Sequence, residues 1–147
     1  MPRNFKTILC PTDFSEYSYR AIDYGLGFTE VSGGTLLLAH IIHVPSGELY
    51  QPEPPTLNFD EAKKRSLRLL QDIRDKRLKG YAKCELLVDI GDPYEQLMCI
   101  VKERAVDLII TATHGRAGLQ HLVLGSVAEK IIRHAPCPVF VVRHGAA

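Results

Sequence analysis

No apolar run in this 147-residue chain approaches the roughly 18 residues that a membrane-spanning helix requires. The opening stretch, Met1 to Lys6, is polar and lacks the apolar core of a secretion signal. An excess of charge is missing too. Eighteen Lys and Arg stand against seventeen Asp and Glu, a formal net charge of +1, so no sequence-wide field would gather nucleic acid or anionic lipid. Any anion site must be local. The four cysteines, Cys10, Cys84, Cys99 and Cys137, form no CxxC pair. Three lie inside apolar runs, where cysteine behaves as a small hydrophobe, which argues against a structural metal or disulfide and for a reducing compartment. The expectation is a cytoplasmic protein with no nucleic-acid or membrane partner.

What is present is alternation. Residues 1–147 have the length of one domain, and short β-rich apolar runs alternate with longer helical patterns, the signature of an α/β fold with a mostly parallel sheet. Strands are expected at Thr7–Cys10, Thr35–Ile42, Ala82–Val88, Asp107–Thr111 and Val139–Val142. Several are continuously apolar, as strands covered on both faces should be. The first helix follows Ser15, with Ala21, Tyr24, Phe28 and Val31 inward and Gly33-Gly34 ending it. A second runs from about Asn58 to Lys79, with Ala62, Ser66, Leu69, Leu70 and Ile73 inward and a solvated charged face outward. The third opens on Asp92-Pro93-Tyr94-Glu95, a capping carboxylate followed by proline at the first helical position, and buries Tyr94, Leu97, Val101 and Ala105. The fourth begins near Ser126 and buries Val127, Ile131 and Ala135 before Pro136 and Pro138 stop it. Between strand two and helix two, the proline-rich stretch Pro45 to Thr56 reads as a surface excursion. No internal repeat is visible.

In an open parallel sheet, ligands bind outside the carboxyl ends of the strands where the strand order reverses. Two of these ends carry chemistry. The first strand runs into Pro11-Thr12-Asp13-Phe14-Ser15, which brings a carboxylate to the sheet rim. The fourth runs into Ala112-Thr113-His114-Gly115-Arg116-Ala117-Gly118 and on to Gly125-Ser126 at a helix start. A helix N-terminus presents unpaired N–H groups and partial positive charge, and glycines let the backbone approach a phosphate. Ser126 could donate its hydroxyl, and His114 and Arg116 could add charge. The same Ser126-Val127-Ala128-Glu129 also reads as a capping box, in which Glu129 would compete with a phosphate for the terminal N–H groups. Asp13 is equally an Asx-type cap, worth about 1 kcal/mol, or an acceptor for a ribose hydroxyl.

Taken together, Ile8-Leu9-Cys10-Pro11-Thr12-Asp13-Phe14-Ser15, Leu38-Ala39-His40-Ile41, Asp107-Leu108-Ile109-Ile110 with its glycine loop, and Leu124-Gly125-Ser126-Val127-Ala128-Glu129-Lys130 with Arg133 to Val139 resemble the universal stress protein family over essentially the whole chain. The resemblance implies a doubly wound, five-stranded parallel sheet with helices on both faces, Rossmann-like and of the adenine nucleotide alpha hydrolase-like kind. It also implies ATP, with or without Mg²⁺, held by a loop written G, two residues, G, nine residues, then G and Ser or Thr. Gly115, nine residues and Gly125-Ser126 match; Ala112 stands at the first glycine. By the same resemblance Asp13 would hold the ribose, the backbones at Pro11, Thr12 and Ile41 would border adenine, and Gly115, Gly125, Ser126 and Val127 would surround the phosphates. If the Ala112 position needs a left-handed backbone, alanine costs about 1–2 kcal/mol, roughly tenfold in binding. If it needs only a small residue, alanine is harmless.

Catalysis has little to stand on. The Walker pattern GxxxxGK[ST] and the GxSxG elbow are absent, and a base is lacking unless His114 serves, so slow ATP hydrolysis is the most this sequence suggests. The short apolar run Val139-Phe140-Val141-Val142 would leave an aggregation-prone sheet edge unless another chain covers it, which points to a homodimer through that strand. The family resemblance implies the same dimer, and a nucleotide-independent scaffold is the alternative reading.

Overall fold

The apolar runs do pair as a parallel sheet. The computed structural model describes residues 4–44, 58–113 and 124–143. Its strands are β1 (Thr7–Pro11), β2 (Thr35–His43), β3 (Cys84–Gly91), β4 (Leu108–Ala112) and β5 (Val139–Val142), in the order β3-β2-β1-β4-β5. Every pairing is parallel. The helices are α1 (Glu16–Ser32), α2 (Phe59–Asp72), α3 (Pro93–Glu103) and α4 (Ser126–His134). A π-helical turn, Ile73–Arg77, extends α2.

Alternating strand residues face two separate cores. Ile8, Cys10, Leu36, Leu38, Leu108 and Ile110 pack with Ala21 and Ile22 of α1 and Leu70 of α2. Leu9, Leu37, Ala39, Ile41 and Ile109 pack with Leu97, Ile100 and Val101 of α3 and Ile131 of α4. Two helices therefore cover each face, and strands buried on both sides need no polar alternation.

Several expected details shift. The buried stripe of α1 is Ser18, Ala21, Ile22, Gly25 and Thr29, whereas Tyr24 is 47% and Val31 93% exposed. Small residues carry this helix onto the sheet: a Cβ on Gly25 would lie 2.4 Å from Cys10 Sγ. Close approach turns the bulky Tyr24 and Phe28 sideways onto Phe140 of β5, at ring separations of 5.5 and 5.2 Å. In α2, Ser66 and Leu70 are buried but Leu69 is exposed. Ala105 lies beyond the end of α3, exposed and with φ 50°, in the turn that delivers Val106 to the core. In α4, Ile131 is buried as expected, Ala128 joins it, and Val127 and Ala135 are only partly buried. The third strand starts at Cys84 rather than Ala82 and runs on to Gly91. The stretch Pro45 to Thr56 lies outside the described residues.

Candidate nucleotide site at the strand switch point

The chain winds from β1 out through β2 to β3, then returns to place β4 on the other side of β1 and winds on to β5. The order reverses between β1 and β4. Their carboxyl ends, Pro11-Thr12-Asp13 and Ala112-Thr113, are the two ends that sequence chemistry singled out, and the fold makes them neighbours.

On the β1 side, the backbone turns sharply after Thr12. Thr12 N–H donates to the Ala39 carbonyl at 2.8 Å, so it braces the sheet and has no N–H to offer a ligand. Ser18 Oγ–H donates to the Ser15 carbonyl at 2.8 Å, which leaves Thr12 Oγ1 as the donor in its 2.7 Å bond to Ser18 Oγ. Phe14 takes a left-handed conformation, φ 64°, which most non-glycine residues avoid. The cap of α1 is Ser15, whose Oγ accepts from Ser18 N–H at 3.3 Å. Asp13 is therefore not the N-cap; its Oδ1 accepts from Ser15 N–H at 3.0 Å, an Asx turn that fixes the carboxylate at the sheet rim.

Register exposes a second feature. The β1–β2 ladder ends at Pro11 opposite Ala39, but β2 continues to His43. Groups of the odd-numbered β2 residues face β1, as the bonds at Thr35 and Ala39 demonstrate. The main chain of Ile41 thus faces a crevice where β1 has already ended.

On the β4 side, Ala112 is the last strand residue, buried and paired in register with Val142. Left-handed backbone is confined to Phe14, Lys79 and Ala105 among the described non-glycine residues, so Ala112 carries no such strain and the left-handed alternative is corrected. Gly125 N–H donates to the Thr113 carbonyl at 2.8 Å, which pins the start of α4 to the end of β4. The N-cap is Gly125, with φ −59° and ψ 147° and no side-chain cap. Ser126 is the first helical residue, and the first intrahelical bond runs from Glu129 N–H to the Gly125 carbonyl at 2.9 Å. The capping-box reading is corrected accordingly: Glu129 Oε1 pairs with Arg133 at 3.1 Å, one turn down the helix. Its carboxylate is held away from the terminal N–H groups of Ser126, Val127 and Ala128. Gly115 and its neighbours His114 and Arg116 lie outside the described residues.

Cys10 is structural. It is fully buried, and burial, with Cys84 adding, pushes its thiol far above the ordinary range, so no thiolate nucleophile forms near neutral pH. Burial likewise pushes Cys84 up to about 11. A broad cleft of about 730 Å³ lies at the opposite end of the molecule, between the segment leading into β1 and the flank of α1, lined by Phe5, Tyr24, Phe28 and Val31. Its one carboxylate, Asp23, is already paired with Arg77 at 2.8 Å. That cleft is lined mainly by apolar side chains, whereas convergent polar groups meet at the switch point, and that criterion decides. Sequence reasoning gave no role to His40 or to the backbone of Phe14. Their signal was a histidine inside an otherwise apolar run of β2, meaningful only once the register was known.

The architecture is that of the Rossmann-like, doubly wound α/β proteins. Residues 4–143 match the universal stress protein family. A universal stress protein of Thermus aquaticus, from the QAH/OAS sulfhydrylase 3′ region, is 33% identical over 95% of this chain and 99% of its own length. The solved structure of MJ0577, a universal stress protein of Methanocaldococcus jannaschii, superposes with a TM-score of 0.84 at 27% identity, covering 99% of this chain and all of that one. A universal stress protein solved in complex with cAMP shares the fold, with a TM-score of 0.72 at 22% identity over 97% of this chain and all of its own. This chain belongs to the universal stress protein family. Among its described residues, no helix is long and apolar enough to cross a membrane.

Proposed function

We propose that the protein is a stress-response regulator that binds an adenine nucleotide, ATP with or without Mg²⁺, at the switch point between β1 and β4. The observation that carries this reading is the start of α4: a helix N-terminus fixed at the end of β4, with no side-chain cap on its donors among the described residues and with Glu129 drawn off to Arg133. Such a terminus binds phosphate through its N–H groups and partial positive charge. Gly125, Ser126 and Val127 would hold the phosphates together with Gly115. Asp13 would accept from the ribose. The N–H and carbonyl of Ile41 offer a donor beside an acceptor, which matches the acceptor and donor on the pairing edge of adenine, while Pro11, Thr12 and Ala112 provide close walls. Binding of cAMP by a fold relative supports the nucleotide class, and the residues named above supply the rest. A catalytic base is not among these groups, so occupancy rather than turnover is the signal, with hydrolysis slow at most.

The test is calorimetric titration with ATP·Mg²⁺, together with mass spectrometry of small molecules released on denaturation. Micromolar affinity or a co-purified adenine nucleotide is expected. Absence of heat, thermal shift and released nucleotide together would sink the reading.

Assembly as a homodimer is supported by β5, which among the described residues pairs only with β4. Its even-numbered residues turn their carbonyls to β4, as the Pro138 and Val142 bonds do, so Val139 and Val141 present theirs outward. Val141→Pro removes an outward N–H without touching the β4 ladder and should yield a monomer by light scattering. A nucleotide-independent scaffold would instead keep its dimer and its cellular role in an Asp13→Ala protein.

A further inference from the structure

The β1–β2 ladder ends at Pro11 opposite Ala39, although β2 runs on to His43. Thr35 N–H donates to the Lys6 carbonyl at 2.7 Å, and the Ala39 carbonyl accepts from Thr12 N–H. In a parallel pair the next rungs would run from Ile41 N–H to the Thr12 carbonyl and from Phe14 N–H to the Ile41 carbonyl. Both are diverted. His40 Nδ1 lies 2.7 Å from the Thr12 carbonyl, and because a carbonyl only accepts, Nδ1 carries the proton and the ring donates. Phe14 N–H turns to Thr12 Oγ1 at 3.0 Å. The Phe14 ring sits against the imidazole, centroids 4.4 Å apart, with the left-handed φ of 64° that swings the chain off the ladder.

We propose that His40 is a positioning residue that cuts the β1–β2 ladder, so that the Ile41 N–H and carbonyl stay turned to the crevice for a nucleobase edge. A carbonyl can accept twice, so the imidazole bond acts through direction. It holds the Thr12–Asp13 peptide, and Phe14 behind it, away from the line that Ile41 needs to continue the sheet. Strand pairing and base recognition compete for the same two groups, and the histidine settles the competition before any ligand arrives. This inference rests on the nucleotide reading above for its consequence, though not for its geometry.

Two variants of His40 separate the bond from the packing. An asparagine side chain places its amide nitrogen as many bonds from the backbone as Nδ1, whereas leucine keeps apolar contact with Phe14 and has no donor, so the pair to make is His40→Asn and His40→Leu. Without ligand, amide exchange followed by NMR should show Ile41 exchanging at least about tenfold faster than Leu37 and Ala39 in the unmodified protein. His40→Leu should slow Ile41 exchange as the rung closes and weaken ATP binding about tenfold, the scale of one lost polar contact. His40→Asn should keep both properties within about threefold. A protected Ile41 amide in the unmodified protein overturns the proposal, as does ATP affinity that survives leucine but not asparagine. If the exchange pattern holds and no nucleotide binds at all, the ladder cut stands and the nucleotide reading fails.

Discussion

Helices α3 and α4 cover the same face of the sheet, but they begin in opposite ways. Asp92 caps α3, its Oδ1 accepting from Glu95 N–H at 2.9 Å, with Pro93 at the first position. Gly125 opens α4 with nearly the same backbone, φ −59° and ψ 147° against −73° and 124°, but brings no side chain. Ser15 and Asn58 cap α1 and α2 in the manner of Asp92. A carboxylate at a helix start satisfies orphan donors and is favoured by the dipole. Where the chain supplies that group itself, the terminus serves stability. Where glycine stands in its place at the switch point, the terminal donors have no side-chain cap, which is what the proposed phosphate site requires.

Giving α4 the cap that α3 has should produce the largest effect. Gly125→Asp suits the backbone and adds the missing acceptor, so unfolding free energy should stay level or rise by a few tenths of a kcal/mol in urea titration. The new carboxylate would occupy the phosphate position and repel it, and ATP affinity should fall at least about 100-fold, roughly 2.7 kcal/mol, by calorimetry. Undiminished affinity would remove the functional meaning of the difference between the two helices.

Next in size come two changes on the structural side. Gly25→Ala drives a Cβ to 2.4 Å from Cys10 Sγ, and overpacking of a rigid helix–sheet contact costs about 1–3 kcal/mol, partly offset by up to about 1 kcal/mol of helix propensity. Denaturant titration should show the net loss. Nucleotide affinity of the folded protein should not change. Asp92→Ala should cost about 1 kcal/mol in the same titration and leave ATP binding intact, the inverse of the pattern expected at Gly125.

Much of this was legible in the sequence. Continuous apolar strands, the Asp92-Pro93 start and the two chemically loaded strand ends follow from local rules, and the fold needed only to put those two ends on the neighbouring strands β1 and β4. What escaped was decided by contacts between distant residues. The buried face of α1 rotated away from Tyr24 and Val31 because Ser18, Gly25 and Thr29 set how close the helix sits, and a hydrophobicity pattern gives small residues little weight. Ala112 was ambiguous because a loop and a strand end look alike until the pairing with Val142 makes it extended. His40 was invisible because its role lies in one rung of a ladder whose register no local pattern reveals.

The smallest effect should come from Glu129, where local sequence allowed two opposed readings. At position N3 of a capping box it would satisfy the α4 terminus, and its loss would cost about 1 kcal/mol of stability while improving phosphate binding. As the partner of Arg133, in an exposed pair one turn apart, it contributes about 0.3–0.5 kcal/mol. Glu129→Gln should therefore lower the denaturation midpoint only slightly, and about 0.5 M salt should erase most of the difference, since exposed pairs are screened within a few ångströms at such ionic strength. ATP affinity should stay within about twofold, because the carboxylate already points away from the N–H groups that would receive the phosphate.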